Sequence, residues 1–158
     1  MAQVTRATKA LVQAGIAFDL HSYDYDPAAP SIGRAAADAL GVDPAQVFKT
    51  LMVLADGKPA CAIAPSDGEV SLKRVAAALG AKAATMMRPA DAERLTGYKI
   101  GGVSPFGQMR RVPTVIDETA LLWDAVFLNG GQRGLQVLLP PDDAVRLLEA
   151  VVADIAAS

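Results

Sequence analysis

Two features of this chain carry residue types suited to holding a ligand, one with its backbone and one with a charge that fits an anion such as a phosphate. The first is Thr96 to Gly107, where four glycines and Pro105 stand between apolar segments. Glycine accepts positive φ and lets another molecule reach the main chain. The paired Gly101 and Gly102 followed by the rigid Ser104-Pro105 therefore read as a ligand-facing wall. The same residues also suit a tight turn with a β-bulge in an ordinary sheet. The second feature is Lys49, inside the β-favouring run Phe48 to Ala55. An ammonium there is costly to desolvate unless it reaches a cleft or an anionic partner; the alternative is an edge lysine that snorkels to solvent.

Protein-centred nucleophiles are scarce. Cys61 and His21 are the sole cysteine and the sole histidine. No internal disulfide and no cysteine-based zinc site can be built from them, and a Cys-His nucleophile pair or a His-rich metal site has no support. Cys61 reads as a small buried apolar residue in mid-strand and His21 as a packed or surface imidazole. The stretch Gly102 to Phe106 falls one residue short of a G-x-S-x-G elbow, and neither glycine cluster has dinucleotide or Walker A spacing. Any catalysis is expected to run on other groups.

A chain of 158 residues that is 52% hydrophobic and 20% charged predicts one domain, 1–158, around a sizeable core. No apolar run approaches the roughly 20 residues of a membrane span, and residues 1–9 lack the apolar centre of a signal peptide. With a lone cysteine, this predicts a cytoplasmic protein. The net charge of -2 hides segregation: residues 49–111 hold 10 basic and 5 acidic side chains, and residues 112–158 hold 2 and 7. A basic middle third containing the glycine loop suits a phosphate-bearing ligand, although Lys73, Arg74, Lys82 and Arg94 also fit a solvated helix face.

Apolar spacing predicts a helix from about Thr5 to Gly15, a short strand from Phe18 to Tyr23, and a second helix from Ile32 to Gly41. Asp43, Pro44 and Gln46 read as N-cap, first helical position and capping-box partner of a single turn. Phe48 to Ala55 and Ala60 to Ala64 form a hairpin about Asp56-Gly57. Ser71 caps a helix running to Gly80, and Pro89 opens another that stops at Gly97. Strands follow at Thr114 to Ile116, Ala125 to Leu128 and Leu135 to Leu139. Pro140-Pro141-Asp142 starts a terminal helix through Leu147, Leu148, Val151, Val152 and Ile155. Helices interleaved with hairpin-connected strands imply a mixed sheet.

Phe48-Lys49-Thr50-Leu51, Thr96-Gly97-Tyr98, Gly101 to Gly107 and Gly130-Gly131-x-x-Gly134-Leu135 occur in this order, preceded by Leu20-His21-Ser22-Tyr23-Asp24. This ordered set resembles the YbaK/EbsC family of aminoacyl-tRNA deacylases, related to the editing domain of bacterial prolyl-tRNA synthetase, and most of all its YbaK branch. The resemblance covers nearly the whole chain. It implies an α+β fold with a mixed, partly closed sheet and a cleft without metal or cofactor. Lys49 matches the family's essential lysine, Tyr23 its cleft tyrosine, and Gly101, Gly102, Ser104 and Pro105 its glycine-rich wall, with Thr50 as a neighbour. Asn129-Gly130-Gly131 stands where the family has Ser-Gly-Gly, and Asp143 corresponds to its nearby acidic position. Phe106 stands where leucine is common in the branch.

The implied activity is hydrolysis of Cys-tRNA(Pro), with the substrate's own thiol attacking the ester. The implied partners are tRNA(Pro) and, for tRNA selection, prolyl-tRNA synthetase. Two alternatives stand beside it. One is a deacylase of alanyl-, seryl- or threonyl-tRNA that uses water, its pocket reshaped by Phe106 and Met52. The other is a non-catalytic module that binds tRNA or a synthetase.

Overall fold

Capping chemistry sets the element ends in the computed structural model, which describes residues 4–28 and 32–157. Thr5 caps α1 (Arg6–Gln13) in a reciprocal box with Thr8. After β1 (Asp19–Ser22) and α2 (Ile32–Leu40), Asp43 caps a single 3-10 turn, Pro44–Gln46. The hairpin β2 (Phe48–Ala55) and β3 (Lys58–Pro65) closes on Asp56 and Gly57, both at positive φ. Ser71 caps α3 (Leu72–Ala78); β4 (Ala84–Met86) follows, and α4 (Pro89–Thr96) ends on left-handed Gly97. Beyond the glycine loop come β5 (Thr114–Asp117), a 3-10 turn Glu118–Leu122, β6 (Val126–Asn129), β7 (Leu135–Leu139), α5 (Pro141–Leu148) and β8 (Val151–Ala153).

The strands form two sheets where the sequence implied one partly closed sheet. The smaller is antiparallel with order β1-β7-β6; the larger has order β4-β2-β3-β5-β8, its last three strands parallel. The sheets approach at a parallel bridge between Val47 and Phe127 without closing. The α+β class and the mixed pairing hold. The main core lies between the sheets, built on Phe48, Met52, Ile63, Phe106, Ile116, Leu128 and Val137. A second cluster packs α3 on the larger sheet through Val53, Ala62, Val75, Val115 and Ile155. A third joins Ala36 and Ala37 of α2 to Val47 and Phe127, with Tyr23 against it.

Three local expectations are corrected. The terminal helix stops at Leu148 because Glu149 turns left-handed at φ 50, and Val151 and Val152 then pair with Val115 and Ile116 as β8. Gln46 does not complete a capping box; its amide donates to Ala125 O at 2.9 Å, tying the turn to β6. Strand β4, antiparallel to β2, stands where no strand was expected.

Candidate functional site

Lys49 and Thr50 enter a cleft of about 380 Å³ because β2 runs along its floor. One wall is the passage from β4 into α4, with Met86, Met87 and Pro89. Another is the loop stretch Ile100, Gly101 and Val103. Asn129 of β6 and Gln136 of β7, paired in register, close the third side. The lining is mostly apolar, so its few polar groups decide orientation. The Lys49 ammonium donates to Gly68 O at 2.7 Å, in the turn beyond β3. It is half-buried, its stem on the cleft and its charge fixed at the rim.

Glycine is needed in the loop because two turns meet backbone to backbone. Gly101 has φ +92, and a Cβ there would strike the Tyr25 hydroxyl; a Cβ on Gly102 would lie 2.7 Å from Arg133 N. Asn129 fastens the two turns. Its Nδ2 donates to Gly101 O at 3.3 Å, while Oδ1 accepts from Gly131 N at 2.7 Å and Gln132 N at 3.2 Å. Tyr98, buried at the start of the loop, donates its hydroxyl to Phe106 O at 2.5 Å, and burial pushes its pKa up to about 12.

Of the residues singled out in the sequence, the cleft gathers Lys49, Thr50, Gly101 and Asn129. Gly102, Gly130 and Gly131 lie behind it in the packing of the turns: a Cβ on Gly130 would meet Leu135, and one on Gly131 would meet Tyr98. Ser104 is fully buried, its Oγ accepting from Phe106 N at 3.2 Å. Pro105 and Phe106 line a separate hollow of about 230 Å³ and are not among the residues that line the cleft, although Phe106 shares a core cluster with Phe48 and Met52, which are. Asp143 sits in the first turn of α5, bonded to Arg146 at 2.6 Å, away from the lining.

Tyr23 packs beside the cleft against the Val47 and Phe127 cluster. Burial raises its pKa, an effect the nearby Gln136 amide partly offsets without a hydrogen bond of normal geometry. Gln136 is the residue that sequence reasoning missed. It is 4% exposed and lines the cleft with Thr50, and its Oε1 and the Thr50 hydroxyl are buried without a hydrogen-bond partner. Its one available signal was a lone polar residue inside the apolar strand Leu135–Leu139. Buried polar atoms without partners are rare, and two of them among the residues lining one cleft mark it as a place where function outweighs stability.

Cys61 is buried, and desolvation pushes its thiol up to about 12, so it is held protonated at neutral pH. The His21 ring packs edge-on against Phe127, with centroids 5.2 Å apart. Among the described residues no three His, Cys, Asp or Glu side chains converge as a metal site requires, and no helix is long and apolar enough to cross a membrane.

A sequence profile for the aminoacyl-tRNA editing domain matches residues 26–147. EbsC of Enterococcus faecalis, described as a candidate Cys-tRNA(Pro)/Cys-tRNA(Cys) deacylase, is 34% identical over 123 residues, covering 77% of this chain and 75% of EbsC. A proline–tRNA ligase of Acidithiobacillus ferrooxidans is 34% identical over 85 residues, which are 54% of this chain and 15% of the ligase. Among solved structures, a candidate trans-editing enzyme for prolyl tRNA synthetase superposes with a TM-score of 0.84 at 25% identity, covering 97% of this chain and 96% of that one.

Proposed function

The chain belongs to the aminoacyl-tRNA editing family, and on that premise we propose that it is a deacylase that clears cysteine from mischarged tRNA(Pro). The whole of 1–158 acts as the deacylase domain, working in the cytoplasm where charged tRNA is used. The observation that carries the reading is the meeting of Lys49, Thr50, Gly101 and Asn129, from three separate stretches of chain, around one cleft.

The ester joining the aminoacyl group to the terminal ribose is broken as follows. The cysteine thiol, deprotonated, attacks its own carbonyl carbon, the carbon to ribose-oxygen bond breaks, and a thiolactone leaves. The ribose oxygen takes up a proton equivalent to the one the thiol lost. Tethering supplies the effective concentration that a free nucleophile lacks, and a thiol with pKa near 8.5 is a few per cent thiolate at neutral pH. The protein's contribution is electrostatic. The Lys49 ammonium stabilises negative charge developing on the carbonyl and ribose oxygens, while the unpartnered Thr50 hydroxyl and Gln136 amide orient the acyl end. No step calls on Cys61, His21 or a metal.

Turnover of Cys-tRNA(Pro) should greatly exceed that of the same tRNA carrying serine or S-methylcysteine. Apolar contact separates near-isosteres by only about 1 to 3 kcal/mol, whereas loss of an internal nucleophile removes the reaction path. The assay is deacylation of a panel of mischarged tRNAs with and without prolyl-tRNA synthetase. Equal rates on cysteinyl and seryl substrates would point to water as the nucleophile, and binding without cleavage would leave only a docking module.

A further inference from the structure

At the mouth of the cleft, one arginine is braced by two contacts that leave its outer edge unused. Arg133 lies in the turn after β6, and its Nε donates to Ile100 O at 2.9 Å. Its guanidinium carbon stands 5.3 Å from the centre of the Tyr25 ring. Tyr25 in turn abuts Gly101, where an added Cβ would lie 3.1 Å from Cε1. The support is therefore continuous with the cleft, because Ile100 and Gly101 line it. Arg133 itself is exposed. Among the described residues its Nη atoms make no hydrogen bond and its charge no ion pair, although Asp24 and Asp26 flank Tyr25 in the chain.

A guanidinium fixed through Nε and one ring face is prepared for bidentate contact with an anion through its two Nη groups. Resting on the editing reading, which places the ester in the cleft and the terminal ribose at its mouth, we infer that Arg133 binds a phosphate of the single-stranded 3′ end of the tRNA, next to the aminoacylated nucleotide. Gly102 and Arg133 are then one device. The missing side chain at Gly102 lets the 132–133 backbone lie on the loop, which brings the guanidinium to the rim.

The test pairs two substrates, Cys-tRNA(Pro) and phosphate-free cysteinyl-adenosine, with Arg133→Met, which keeps an unbranched stem for the Tyr25 ring, and Arg133→Lys, which keeps the charge. On the tRNA, Arg133→Met should raise KM about tenfold at low salt with kcat within twofold. The slope of log KM against log salt should become shallower by about 0.7, the counterion share of one single-strand phosphate. Arg133→Lys should fall between. On cysteinyl-adenosine neither variant should move KM more than twofold. An equal rise on both substrates would reduce Arg133 to a brace for the Gly101 wall, and an unchanged KM on tRNA would overturn the inference outright. If the wild type cleaves neither substrate, the editing reading fails; uncharged tRNA(Pro) binding by the same variants then decides Arg133 alone, with undiminished binding by Arg133→Met refuting it.

Discussion

Lys49 can be removed with little structural consequence, since it is half-buried and makes one bond to a turn carbonyl. Lys49→Ala should therefore keep its melting temperature within a few degrees yet lose about 2.7 to 4 kcal/mol of transition-state stabilisation, a fall of 10² to 10³ in kcat on Cys-tRNA(Pro). Arginine should not restore it, because a planar fork cannot replace a compact ammonium at that rim. Wild-type turnover by Lys49→Ala would mean that the chemistry lies elsewhere. Cys61 gives the complementary case. Its thiol, pushed up to about 12 inside the core, has no nucleophilic form at neutral pH. Cys61→Ala should turn over normally, as should the wild type in EDTA; a folded but inactive Cys61→Ala, or chelation loss reversed by zinc, would contradict the mechanism. Lys49 and Gly101 were legible because their types are costly without a purpose, an ammonium in an apolar strand and a glycine beside a glycine. Gln136 was not. Its meaning comes from facing Asn129 and His21 across two strand pairings, which no local pattern records.

Elements held by local rules were read well, and those held by distant pairing were not. Thr5, Ser71, Asp56-Gly57 and Gly97 announce their ends through capping and turn chemistry alone. Strand β4 has three residues of which only Thr85 favours a strand, too short a run to signal one, and it is its pairing with β2 that makes it extended. The last segment misled for a different reason. Leu147, Leu148, Val151, Val152 and Ile155 continue a helical period, yet the structure ends the helix and lays β8 on β5. A buried carboxylate helps to hold that arrangement. Asp117, at the end of β5 and fully buried, accepts from Ile155 N at 2.9 Å and Ala156 N at 3.2 Å, and also from the Thr119 amide and hydroxyl. Asp117→Ala strands these donors and should cost about 3 kcal/mol or more in urea unfolding, with hydrogen exchange accelerating first at Ile155 and Ala156. A loss under about 1 kcal/mol would show that β8 is held by its own strand pairing instead.

At the scale of the molecule, acids raised by burial tie stability to alkaline pH, Cys61 and Tyr98 most strongly and Tyr23 in the same direction. Desolvation raises Cys61 from 9.0 to about 12 and Tyr98 from 10.0 to about 12. Below about pH 8 both groups are essentially neutral in the folded and the unfolded chain, so neither makes stability vary there. Above that, the unfolded chain releases the thiol proton first and the phenol proton next, while the folded chain retains both. The unfolded state then binds fewer protons, and stability falls as pH rises from about 9 through about 12. Tyr98 makes this more than a core effect, because its hydroxyl holds Phe106 O and so closes the glycine loop that walls the cleft. Urea midpoints should decline across this window. Cys61→Ala should remove the part that begins near pH 9, and Tyr98→Phe the part that begins near pH 10, the latter from a lower starting stability because Phe106 O loses its donor. Lysine deprotonation and the raised Tyr23 phenol are common to all three proteins, so the differences between their pH curves isolate the two groups. Parallel curves for the wild type and Tyr98→Phe would show that the phenol ionises freely, and that the loop is closed by the packing of its glycines and not by that hydrogen bond.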